Sequence, residues 1–142
     1  MFNPDAKNKK KKVWEVFPDE AQLSNYLEEH YADKVEVERF SLQTGWDFRR
    51  KRDRDILLDK VDKDKPDEIF MVPPSEPWCS WQRVNAAINP QIEARIRTTR
   101  LQHESCFLKL AHRIFEKQFV GGRHAHLEHP DGMCHDHPQL RI

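Results

Sequence analysis

Six side chains crowded near the carboxyl end could hold a metal ion: His124, His126, His129, Cys134, His135 and His137. Imidazole and thiolate are zinc's preferred donors. Neither a Cys-x-x-Cys nor a His-x-x-x-His pair occurs among them, so a solvated histidine-rich turn is expected there and no metal. A second constellation, Trp78, Cys79, Trp81 and Arg83, combines aromatic rings with a guanidinium. It reads either as a platform on which unpaired nucleic-acid bases stack or as tryptophans packing a loop against a neighbouring helix. If nucleic acid, DNA or RNA, is the partner, Arg95, Arg97, Arg100 and the lysines at positions 9–12 are the expected phosphate contacts, and binding should weaken with salt.

His126-Leu127-Glu128 also has the His-x-Glu form in which histidine holds zinc and glutamate shuttles protons during base deamination. That chemistry further requires Pro-Cys-x-x-Cys, and Cys134 alone lies downstream, so the reading fails on ligand count.

Alternating strands and helices would position these residues. Residues 13–17 are β-branched and aromatic and stop at Pro18, which suits a strand followed by a helix over residues 18–32 with Leu23, Tyr26, Leu27 and Tyr31 as its inner stripe. Residues 35–42 form a second strand candidate ended by Gly45. A charged helix follows over residues 49–65, with Ile56, Leu57 and Val61 on one side and Pro66 as its stop. The continuous apolar run Ile69-Phe70-Met71-Val72 is the best candidate for a central parallel strand. Asn89-Pro90 then opens a long helix whose inner face is Ile92, Ile96, Thr99, His103, Phe107, Leu110, Ala111 and Ile114, stopped by Gly121-Gly122. Residues 123–129 form the last strand, with His124, His126 and Glu128 on one side and Ala125, Leu127 and His129 on the other. Such an order predicts an α/β fold, a partial Rossmann-like, mostly parallel sheet of about four strands with flanking helices. Ligands bind beyond the carboxyl ends of strands in sheets of this kind.

Four stretches at those ends carry a resemblance: Trp14-Glu15-Val16-Phe17, Thr44-Gly45-Trp46-Asp47-Phe48, the run from Val72-Pro73-Pro74-Ser75 through Trp78-Cys79-Ser80-Trp81-Gln82, and Gly122-Arg123 with Leu127-Glu128-His129-Pro130. In order and spacing they resemble the methyltransferase-like domain of copia-type retroelement polyproteins, itself similar to the cytosine-C5 DNA methyltransferases. The resemblance implies that the loop after Phe17 cradles S-adenosylmethionine, with Asp47 on the adenosine side and Pro73-Pro74 presenting a nucleophile to a flipped cytosine. It implies that Glu128 contacts N3 of the base. Where active relatives carry cysteine after the two prolines, this chain has Ser75, whose hydroxyl is a far poorer nucleophile than a thiolate. Cys79, four residues on, is the alternative thiol or simply a small half-buried loop residue. The glycine-rich cofactor turn is replaced by Pro18-Asp19-Glu20-Ala21, and the ribose-binding acid at the end of the second strand by Ser41. The expectation is therefore a degenerate, inactive methyltransferase-like domain with doubtful S-adenosylmethionine binding. The alternatives are a nucleic-acid-binding module without transfer chemistry, or a fragment working within a larger polyprotein, because the resembled domains continue with further strands.

Composition sets the bounds. A chain of 142 residues accommodates one domain with its own core. Charged residues, at 34%, nearly equal the 37% that are hydrophobic, so that core should be small. Lys plus Arg and Asp plus Glu number 24 each, so net charge selects no partner. Residues 1–12 read as a disordered basic tail, 13–130 as the α/β domain, incomplete by the resemblance, and 131–142 as a histidine-rich tail. Three widely spaced cysteines and the lack of an apolar leader predict an intracellular setting, cytoplasmic or nuclear. No segment approaches the ~20 apolar residues of a membrane span.

Overall fold

Four short strands form where the β-branched and aromatic runs lie: β1 (Lys11–Val16), β2 (Val35–Phe40), β3 (Glu68–Met71) and β4 (His124–Leu127). In the computed structural model, which describes residues 9–18, 21–74 and 81–128, they make one sheet in the order β2-β1-β3-β4 with every neighbour parallel. Between them run α1 (Gln22–Tyr31), α2 (Lys51–Asp64), α3 (Trp81–Ile88), α4 (Pro90–His103) and α5 (Lys109–Val120). The molecule is thus an α/β protein with a four-stranded all-parallel, Rossmann-like sheet flanked by helices. Among the described residues no helix is long and apolar enough to cross a membrane.

Strand alternation divides the burial. Trp14, Val16, Phe40, Ile69 and Met71 point to the face covered by α2 and α5, where they pack with Leu57, Val61, Leu110, Ala111 and Ile114. The opposite face carries Glu15 and Arg39, and α1 is tied to it by polar contacts. Ser24 donates its hydroxyl to Glu15 at 2.6 Å, and Arg39 reaches Glu28 at 2.8 Å and Asn25 at 3.0 Å. The Arg39 guanidinium, chiefly through that hydrogen bond, holds the Glu28 carboxyl below its ordinary range.

Three expectations are corrected. Strand β1 begins at Lys11, so residues 11 and 12 belong to the sheet and not to a tail. The backbone N–H of Lys12 donates to Asp67 at 2.8 Å and its ammonium to the Asp64 carbonyl at 3.2 Å. Helix α1 begins at Gln22, four residues later than its sequence signals, and its buried residue is Ser24, while Tyr26 and Tyr31 are 53% and 41% exposed. A carboxylate on the strand beneath it demands a hydroxyl there, which turns the tyrosines outward. The long helix runs from Pro90 to Val120 as expected, capped by the Asn89 side chain, but a π-helical segment (Glu104–Leu108) interrupts it. No residue of α4 is buried: Ile92 and Ile96 are half-buried, and α4 packs on α3 and the π segment. Burial on this helix starts at Phe107.

Candidate functional site

The carboxyl ends of β1, β2 and β3 meet at a cleft of about 140 Å³ whose walls include Phe17, Pro18, Ser41, Trp46, Asp47, Phe48, Pro74 and Phe107. Its lining is a chain of ring contacts. Phe17 meets Phe48 edge-on at 5.2 Å and Phe107 at 5.6 Å, and Trp46 stacks on Phe48 at 5.8 Å. The loop after β2 is folded locally. Ser41 and Thr44 cap each other across a 3-10 turn, Gly45 adopts φ 90°, and the Trp46 N–H returns to the Ser41 carbonyl at 2.9 Å. That left-handed φ suits glycine. The π segment turns Phe107 into the wall, and the His103 ring beside it contacts the Pro74 carbonyl at 3.2 Å.

Asp47 sits at the rim with its carboxylate already engaged. It accepts the Arg49 backbone N–H at 3.1 Å and the Arg49 guanidinium at 3.0 Å on each oxygen, while its own N–H donates to Asp53 at 2.8 Å. These bonds from Arg49 hold the Asp47 carboxyl below the usual carboxylate range. Asp47 thus shapes the turn before α2.

Phe17 and Ala21 bracket the next loop in left-handed backbone at φ 65° and 50°. These are conformations that glycine adopts freely and other residues resist. Ala21 is also the N-cap of α1 and makes no side-chain cap. Glycine is the better residue on both counts. Ala21→Gly should therefore raise stability by about 0.5–1 kcal/mol in urea denaturation; a loss of stability would contradict the strained geometry.

Of the residues singled out by sequence, Phe17, Asp47 and Pro74 come together in this one cleft. Pro73 is buried and forms no part of the wall, which corrects its expected exposure to a ligand. Glu128 is held by its backbone N–H to the Met71 carbonyl at 2.9 Å and opens onto a different, neighbouring cleft of about 380 Å³, shared with Glu15, Ala21, Leu23 and Val72. Pro18 lines both clefts. Ser75, Trp78 and Cys79 lie outside the described residues, as do His129, Cys134, His135 and His137. Trp81 and Arg83 fall in the first turn of α3. His124, His126 and Glu128 alternate with core-packed Ala125 and Leu127, as expected. His126 lies 3.4 Å from Glu68 and stacks on Phe70 at 4.4 Å. Among the described residues no three metal-binding side chains cluster.

Sequence reasoning missed Glu15, Ser24 and Gln118, all buried polar residues. A glutamate inside the run Val13-Trp14-Glu15-Val16 was the available signal, because a charge within such a run must find a partner. Comparison with protein-family models, curated proteins and solved structures finds no match to this chain.

Proposed function

We propose that this chain is a methyltransferase-like domain of retroelement origin that does not transfer methyl groups and retains a small aromatic cleft able to accept one planar ring. The observation that carries the reading is the convergence of Phe17, Asp47 and Pro74, from three distant segments, on one cleft at the strand ends. The resemblance assigns Asp47 to the adenosine side of S-adenosylmethionine, Phe17 to the entry of the loop that cradles it, and Pro74 to the loop that presents a nucleophile to the base.

The residues present do not fit the whole cofactor. A volume of about 140 Å³ falls short of the ~300–1,000 Å³ typical of sites that enclose such ligands. Ribose hydroxyls would have to displace the Arg49 guanidinium from Asp47. The turn after Phe17, where glycines would let a ligand approach the backbone, begins with Pro18, and the Phe17 ring itself forms part of the cleft wall. The geometry of Glu128 supports loss of transfer as well. It faces a cleft other than the one Pro74 lines, and a proton-transferring group must come within hydrogen-bond reach of its target.

Three measurements test the reading. Calorimetry with S-adenosylmethionine up to about 1 mM should give no binding heat, and labelled methyl groups should not reach cytosine-containing DNA. Adenosine at millimolar concentration should shift the Gly45 and Trp46 amide resonances. Micromolar cofactor binding with methyl transfer would restore an active enzyme, and unperturbed Gly45 and Trp46 would remove the cleft from consideration.

A further inference from the structure

Strand β4 is the last in the sheet order, and parity fixes what its outer edge offers. The N–H groups of His124 and Glu128 donate to the Asp67 and Met71 carbonyls of the β3 side, at 3.1 and 2.9 Å. The alternate residues Ala125 and Leu127 therefore aim their N–H and C=O groups away from the sheet, and no described residue pairs with them. Beside this edge lies a groove of about 210 Å³ lined by Phe115, Gln118, Phe119, Arg123, His124 and Ala125. Phe119 and Val120, just before the strand, are 78% and 86% exposed. A strand edge that no described residue covers, next to exposed apolar side chains, is a template for a further strand.

We propose that this edge pairs with β4 of a second copy, antiparallel about a two-fold axis through His126. In that register Ala125 lies opposite Leu127 of the second copy, and these outward-facing residues exchange their backbone hydrogen bonds in two equivalent pairs. Opposite residues in an antiparallel pair project from the same face. Leu127 of the second copy is thereby set over small Ala125, where the groove is open. On the other face His124 meets Glu128 of the second copy, a match of potentially opposite charge that occurs twice. His126 faces its own equivalent, each ring stacked on Phe70 with Glu68 at 3.4 Å.

The neighbouring registers are worse. Centring on Ala125 opposes His124 to His126, and centring on Leu127 sets leucine against leucine and takes Leu127 away from the groove beside Ala125. Any extended peptide could satisfy the backbone edge, but size and charge matched together at these five positions favour the chain's own sequence.

Sedimentation of the full chain between about 1 and 500 µM tests this. The expected result is a monomer–dimer equilibrium within that range. Ala125→Pro removes an outward N–H that β3 does not use, so it should abolish the dimer while leaving the sheet intact. His124→Glu, at an exposed side chain, should weaken association about tenfold because the altered contact occurs twice. Adding Glu128→Lys to it should restore association. A chain that stays monomeric throughout, a dimer indifferent to Ala125→Pro, or a charge swap that fails to rescue would each overturn the proposal.

Discussion

Replacing Gln118 with leucine should lower the unfolding free energy by about 2–4 kcal/mol, because a single amide serves three buried or half-buried groups. Gln118 is 1% exposed. Its Nε2 donates to the carbonyls of Pro66 at 3.0 Å and His124 at 2.9 Å, and its Oε1 accepts from Arg123 Nε at 2.8 Å. The residue thus joins the entry to β3 to the entry to β4 from the last helix. Leucine matches its volume but satisfies none of those groups, so the Pro66 carbonyl, in a fully buried residue, would lose its partner without gaining water. Arg123→Met removes one donor at a half-buried position and should cost about 1 kcal/mol or less. Urea denaturation of both variants gives the comparison, and amide exchange across residues 124–128 should accelerate in Gln118→Leu. A cost below that of Arg123→Met would show that the amide bonds do not hold β4.

Glu15→Ala should cost about 2–3 kcal/mol, the second largest loss. Glu15 is 5% exposed, and its carboxylate accepts both the hydroxyl and, at 3.4 Å, the backbone N–H of fully buried Ser24. Truncating the glutamate strands two donors, and Ser24→Ala strands the acid. The paired change Glu15→Leu with Ser24→Ala removes both polar partners together and should lie within about 1 kcal/mol of the parent, since a buried polar pair gains little over apolar packing. A double-mutant cycle by urea denaturation measures this coupling. Purely additive costs would mean that the contact does not dock α1 on the sheet.

These two residues also mark the boundary of what could be read in advance. Proline and glycine punctuation, apolar runs and the alternation through His124-Ala125-His126-Leu127 are local properties, and they located all four strands and the long helix to within a few residues. The spacing of Leu23, Tyr26, Leu27 and Tyr31 is equally regular, yet Leu23 and Leu27 are only half-buried and the two tyrosines are exposed, because the strand beneath presents Glu15 to Ser24 in place of an apolar side chain. Likewise Ile92 and Ile96 have the periodicity of a buried stripe, yet both are only half-buried and neither joins the main core, since α4 packs on α3 and the π segment.

The amino-acid order by itself determined an α/β alternation, the strand-end location of Phe17, Asp47, Pro74 and Glu128, and the sidedness of β4, since backbone stereochemistry and helix or strand period act over a few residues. Tertiary structure alone decided the strand order, the rotation of α1, the engagement of Asp47 by Arg49, and the division of the strand-end residues between two clefts. Each of these depends on contacts whose energies emerge when surfaces meet and water leaves, and local periodicity does not encode them.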